Sequence, residues 1–276
     1  MTHQTFNWTQ NQTEIFGQYW KIEDAKGIVA IVHGMGEHSS RYGDFVVPKL
    51  NAAGYSVIAF DQFGHGLTGG KRGHCPNYEA VLDSLESLLN KSDELLGADL
   101  PIFLYGHSMG GNVVSNFIIK RNSKIKGAVL SSPMLKLAFD PPDWKMIAAK
   151  FMRNIYPAFQ EVTGLDATAI SRNNRAVEKY INDPLVHDKI TVNFSLPFFE
   201  AGDYAIEHAD EIKVPAIVIH GTADKLTDYK GSEAFAKKAG DKVSLKLYPG
   251  GYHELHNDIV KDEVIAEVIS WLNTHI

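Results

Sequence analysis

At 276 residues, with 44% hydrophobic and 22% charged side chains, the chain can bury one sizeable core or two small ones and shows no signature of disorder. A formal net charge of −6 gives a nucleic-acid partner no electrostatic support, and none of the 12 histidines stands in the tight HxxxH or HxH pairs that suggest zinc. The single cysteine, Cys75, excludes an intramolecular disulfide, so nothing requires an oxidising compartment.

The first residues, Met1 to Phe6, lack the basic start and apolar run of a signal peptide. No stretch approaches the roughly eighteen apolar residues of a membrane-spanning helix. The expectation is a cytoplasmic chain, with peripheral membrane contact left open.

Thr5 to Trp8 and Glu14 to Lys21 read as a leading hairpin, and Ile28 to Val32 as a strand buried on both faces. A helix is expected over Arg41 to Ala53, then a strand over Ser56 to Phe60. From Tyr78 to Leu96 the residues Val81, Leu82, Leu85, Leu88, Leu89 and Leu95 recur at the spacing of one helix face. Pro101 to Tyr105 is the next strand, Gly111 to Lys120 the next helix, and Lys126 to Leu130 a strand again. Such alternation implies an α/β fold with a mostly parallel central sheet covered by helices on both faces.

The alternation stops between Pro133 and Ala209, where Pro141-Pro142 and residues such as Trp144, Met146, Phe151 and Phe159 suggest short helices inserted between two strands. It resumes with a strand at Ala216 to His220, a helix at Gly231 to Ala239, a strand at Val243 to Tyr248 and a closing helix at Ile259 to Leu272. The organisation expected is one domain: a core of 1–132 and 210–276, interrupted by a helical cap, or lid, at 133–209.

Gly106-His107-Ser108-Met109-Gly110 stands between a strand and a helix. A nucleophilic serine there needs a strained turn, and small residues two positions either side let strand and helix backbones pass closely. Serine also needs a base to take its proton. On such a sheet the acid and the histidine follow the serine in chain order, each after a later strand. Asp224 and His253 occupy those places; Asp228 competes with the first, and His256 and His220 with the second, although His220 falls within or at the end of its strand. Two backbone N–H groups must face the oxyanion. Met109, after the serine, supplies one, and the loop His33-Gly34-Met35-Gly36 supplies the other, from Met35.

Five blocks together give a wider resemblance: His33 to Tyr42 (HGMGEHSSRY), Asp61 to Gly66 (DQFGHG), Gly106 to Gly111 (GHSMGG), Gly221 to Asp224 (GTAD) and Gly251 to His256 (GYHELH). In order and spacing the chain resembles the monoacylglycerol lipase and lysophospholipase branch of the α/β-hydrolase superfamily. The resemblance implies an α/β-hydrolase fold with an inserted helical cap and a triad of Ser108, Asp224 and His253. It also implies an oxyanion hole from Met35 and Met109, and a polar glycerol-side pocket from Glu37, Arg41, Tyr180 and His256. An alternative role for Glu37 and Arg41 is an ion pair bracing the oxyanion loop.

The expected reaction is hydrolysis of a lipid ester, monoacylglycerol foremost, through an acyl-enzyme and without metal or organic cofactor. Rival readings are a lysophospholipase, carboxylesterase or aminopeptidase on the same fold, a cofactor-free perhydrolase, and a non-catalytic receptor. Oligomeric state and acyl length are not legible.

Overall fold

The computed structural model describes residues 1–122 and 124–276. The leading hairpin is longer than the sequence pattern suggests: β1 (Thr2–Gln10) pairs antiparallel with β2 (Thr13–Lys21) along its whole length. β2 continues antiparallel onto β4 (Tyr55–Phe60), which runs parallel to β3 (Gly27–Val32). β5 (Ile102–His107), β6 (Gly127–Ser131), β9 (Ala216–Gly221) and β10 (Val243–Tyr248) extend the parallel part, giving the order β1-β2-β4-β3-β5-β6-β9-β10. Every residue of β3, β4, β5, β6 and β9 is buried, which accounts for their continuous apolar runs: both faces are covered.

Helices α2 (Tyr78–Leu96) and α3 (Met109–Lys120) press Leu85, Leu88, Val113 and Phe117 onto one face of the sheet. α1 (Val46–Ala52) and α8 (Lys261–Thr274) cover the other with Val47, Leu50, Val268 and Leu272. The helix expected over Arg41 to Ala53 is in fact two pieces, a 3-10 turn at Ser39–Tyr42 and then α1. The reason is Pro48. In the first turn of α1 its missing N–H costs nothing, whereas in a helix started at Arg41 its ring would meet the carbonyl four residues back.

Between β6 and β9 the chain adds no strand to the large sheet. It forms α4 (Asp143–Ile155), α5 (Asn174–Ile181), α6 (Val192–Glu207) and a small antiparallel ribbon of β7 (Gln160–Val162) and β8 (Lys189–Thr191), which the sequence pattern did not suggest. The helices of this insertion differ sharply. No residue of α4 is buried, whereas α6 sends Phe194, Phe198, Ala201 and Ala205 into the same apolar cluster as the sheet. Two buried asparagines of α3 tie α6 down: Asn112 Nδ2 donates to the Phe198 carbonyl (3.0 Å) and Asn116 Nδ2 to the Ala201 carbonyl (2.9 Å). α7 (Tyr229–Ala239) then returns the chain to β10. Among the described residues no helix is long and apolar enough to cross a membrane.

Candidate active site

Ser108 links β5 to α3 with φ 53° and ψ −117°. A non-glycine residue held at positive φ costs on the order of 1–3 kcal/mol and persists only where the surroundings over-determine it. Here they do. The Ser108 N–H donates to the Ser131 carbonyl (2.9 Å), while the Ser108 carbonyl accepts from Asn112 N (3.1 Å) and Met134 N (2.9 Å). The flanking glycines are steric necessities: a Cβ on Gly106 would lie 2.5 Å from the Gly110 carbonyl oxygen, and one on Gly110 would strike the Val32 carbonyl.

Asp224 and His253 meet although they lie 29 residues apart, because β9 and β10 are parallel neighbours and both side chains leave the sheet at its carboxyl edge. His253 Nδ1–H donates to Asp224 Oδ2 at 2.7 Å. Asp224 Oδ1 accepts from the Leu226 (2.8 Å) and Thr227 (3.1 Å) amides, so the carboxylate cannot rotate. Burial raises the Asp224 carboxyl, but His253 and the His220 hydrogen bond outweigh it and hold the group well below the usual carboxylate range. Burial depresses His253, yet Asp224 overcomes this and leaves it above its ordinary value of 6.5. With Nδ1 committed to Asp224, Nε2 is the ring nitrogen left without that bond, on a residue that lines the same cavity as Ser108. Asp228 is elsewhere: it caps α7, accepting from Lys230 N.

The loop from His33 to Glu37 is fixed from three directions. Glu37 Oε1 accepts from Gly34 N at 2.6 Å and from the Tyr42 hydroxyl at 2.9 Å. Gln62 N donates to His33 Nε2 (2.9 Å), which makes Nδ1 the protonated nitrogen, donating to the Gly34 carbonyl (2.8 Å). From the insertion, His187 N donates to the Gly36 carbonyl (2.9 Å), and His38 bonds Asp183 (2.9 Å). Met35 lines a cavity of about 580 Å³ that also contains Ser108 and His253, and Met109 provides the first amide of α3, a position without a partner inside its own helix.

That cavity has a polar and an apolar part. At the polar part stand Glu37, Glu254 and Tyr180. Glu37 is close to the serine: a single point, the Cβ position of Gly34, is 3.0 Å from Glu37 Oε1 and 3.2 Å from Ser108 Cβ. Arg41 stays behind them, clamped to Glu254 through two 2.7 Å bonds and to Glu37 Oε2 at 2.5 Å, with the Tyr180 ring 4.7 Å from its guanidinium. Burial favours a raised Glu37 carboxyl, but Arg41 and neighbouring histidines reverse this and depress it. Four residues were therefore expected at a glycerol-side pocket, and two of them, Glu37 and Tyr180, line the cavity. Arg41 does not. Neither does His256, which lies buried between Tyr42 (ring centres 5.0 Å apart) and His107 (4.8 Å), both ring nitrogens without a partner.

Glu254 escaped the sequence reading, which paired Arg41 with Glu37 alone. Its place directly after His253 was the available signal. Thr227 was missed as well; its hydroxyl donates to Asp224 Oδ2 at 2.9 Å, and it lines the cavity. The apolar lining of the cavity includes Leu137, Phe139, Met146, Leu165, Ile181 and Leu226; Leu165 and Leu226 pack in one cluster with Tyr180, and Met146 comes from the inner side of α4. On the outer side of that helix Trp144, Ile147, Phe151 and Ile155 form one stripe and are each at least 64% exposed.

Residues 23–259 match the family described as serine aminopeptidase, S33. The chain is 33% identical over 258 residues to the monoacylglycerol lipase of Mycolicibacterium smegmatis, covering 92% of this chain and 90% of that protein. The crystal structure of Paleococcus ferrophilus monoacylglycerol lipase superimposes with a TM-score of 0.87 at 34% identity, covering 95% and 99% of the two chains. An uncharacterised abhydrolase domain-containing protein of Dictyostelium discoideum is 31% identical over 251 residues; this chain spans 90% of its own length there but only 26% of that longer protein. The fold, the family match across most of the chain and these relatives lead to one statement: the chain is an α/β-hydrolase of the serine aminopeptidase S33 family.

Proposed function

We propose that this protein is a serine ester hydrolase acting on monoacylglycerols, with Ser108, His253 and Asp224 as its triad. The observation that carries the reading is the strained Ser108 sharing one cavity with the Asp224-anchored His253, beside a polar end and an apolar wall. Ser108 Oγ attacks the ester carbonyl while His253 Nε2 takes its proton; Asp224 orients the ring and stabilises the imidazolium. The Met35 and Met109 amides hold the oxyanion. His253 then protonates the leaving alcohol, and a water deprotonated by the same nitrogen releases the fatty acid from Ser108, restoring the enzyme.

Monoacylglycerol lipases among the relatives support this substrate, and so does the charge at the polar end. Glu37 and Glu254 share one guanidinium, leaving an excess negative charge beside Ser108. An uncharged polyol leaving group fits there, whereas the phosphate of a lysophospholipid meets like charge. Residues 133–209 form the cap in this reading, and the outer stripe of α4 docks it on a lipid surface, making the enzyme a peripheral one. A panel of monoacylglycerols, lysophospholipids, simple esters and aminoacyl anilides tests the assignment. Monoacylglycerol turnover is expected to lead; aminoacyl anilides turned over fastest would replace the reading with that of a peptidase.

A further inference from the structure

His220 entered the sequence reading only as a rival for the catalytic base, and its position within β9 excludes that role. The structure gives it other company. The side chain is fully buried, Nδ1 2.8 Å from Ser232 Oγ and Nε2 3.2 Å from Asp224 Oδ2. Asp224 thus collects the Leu226 and Thr227 amides on Oδ1, and His253 Nδ1, the Thr227 hydroxyl and His220 Nε2 on Oδ2.

Hydrogen-bond bookkeeping decides the proton on His220. Were Nδ1 its only protonated nitrogen, the Nε2 lone pair would face the Asp224 carboxylate across 3.2 Å. The one hydroxyl proton of Thr227 would then have to leave Asp224, 2.9 Å away, to satisfy it. With Nε2 protonated, His220 donates to Asp224, Thr227 donates to Asp224, and Ser232 donates to His220 Nδ1. Each of these three protons then has an acceptor and no lone pair of His220 faces the carboxylate; the Ser132 carbonyl, 3.3 Å from the Thr227 hydroxyl, is the longer and competing acceptor for that one proton.

We infer that His220 is a positioning residue of the hydrolytic reaction: its Nε2–H keeps Asp224 an anion aimed at His253 Nδ1 and thereby sets how readily His253 holds a proton. The inference rests on the triad assignment above. A buried carboxylate with few donors would draw the proton of the imidazolium toward itself; each added donor disperses its charge and weakens that pull. His220 is therefore a brake on the basicity of His253, and removing it raises that basicity. His253 is also faced by His107, ring centres 4.8 Å apart, and by Glu37, Glu254 and His256. All of these stay in place when His220 is changed.

The test is the pH dependence of kcat/KM on a neutral soluble ester for the wild type, His220→Leu, His220→Gln and Ser232→Ala. His220→Leu is expected to move the acid limb upward by about half a pH unit or more. His220→Gln, whose amide supplies an N–H to Asp224, is expected to restore the wild-type limb. Ser232→Ala removes the hydroxyl that fixes the ring's tautomer and is expected to shift the limb in the same direction by less. An unmoved limb in His220→Leu, or a glutamine variant displaced as far as the leucine one, overturns the inference. If His220→Leu does not fold, Ser232→Ala decides: an unmoved limb there overturns it. Retained activity in Ser108→Ala would instead remove the triad reading itself.

Discussion

The two ends of the cavity that meet at Ser108 are stabilised in opposite ways. At the polar end the charges of Glu37, Arg41 and Glu254 are locked to one another within 2.7 Å, and the loop carrying Gly34 and Met35 hangs from the same carboxylate. Along the apolar wall α4 buries no residue and holds its largest side chains out to solvent. A closed network of charge-assisted bonds has one good geometry, because each broken contact leaves a charge without compensation. An amphipathic helix that buries none of its residues has many positions of similar energy. In the proposed reaction the end that must hold backbone donors to a fraction of an ångström is thus the rigid one, and the end that must accept an acyl chain is the loosely held one.

Breaking the point where the ends meet should have the largest effect. Ser108→Ala is expected to lower kcat on a medium-chain p-nitrophenyl ester by about 10⁴-fold or more, with the melting temperature essentially kept. Wild-type turnover in that variant would discard the nucleophile assignment.

Next comes the clamp of the polar end. Arg41→Ala leaves two buried carboxylates facing each other and should cost about 3–5 kcal/mol in urea unfolding, together with loss of esterase activity through the loosened Gly34–Met35 loop. Arg41→Lys should rescue it only in part, since an ammonium cannot reproduce the paired bonds to Glu254. A stable, active alanine variant would show that the network does not brace the loop.

The same contrast predicts a pH signature. Because Asp224 holds His253 above 6.5, kcat/KM should fall on the acid side with a midpoint above that value, as the base becomes protonated. Stability should behave differently. Glu37 and Asp224 are depressed in the folded state, so their contribution is complete above the ordinary carboxylate range and is lost as pH falls through their lower folded values. Activity should therefore disappear at pH values where the fold is intact. Acid unfolding that coincides with the activity limb would contradict this separation.

The smallest effect in solution belongs to the outer face of α4. Ile147→Ser with Phe151→Ser should change stability by no more than about 0.5 kcal/mol and leave soluble-ester turnover unchanged, since both side chains already stand in water. Cosedimentation with phosphatidylcholine vesicles should drop. Unchanged vesicle binding would mean that this stripe is not the docking face.

Much of this is legible in the residue order. Strands buried on both faces announce themselves as short, largely apolar runs, so the pattern places β3, β4, β5 and β9 within a residue or two. The glycines around Ser108 and the acid–histidine order along successive strands depend on local sterics and on parallel topology, both of which leave marks in a linear pattern. The insertion left fewer marks. Both α4 and α6 carry phenylalanines among polar residues, yet Phe198 is 1% exposed and Phe151 65%. What separates them is the pair of asparagines in α3, more than 80 residues away, that capture the α6 backbone.

The sequence by itself determined the fold class, the strained turn at Ser108, and the chain order of Asp224 and His253, because each follows from short-range sterics repeated along the chain. Only the tertiary structure decided the partners. Glu254 shares Arg41 with Glu37, His256 withdraws behind His107, and His220 turns from a rival base into a donor to Asp224. These are contacts between side chains brought close by the parallel sheet and its loops, and a hydrogen bond depends on distance and direction, which residue order does not encode.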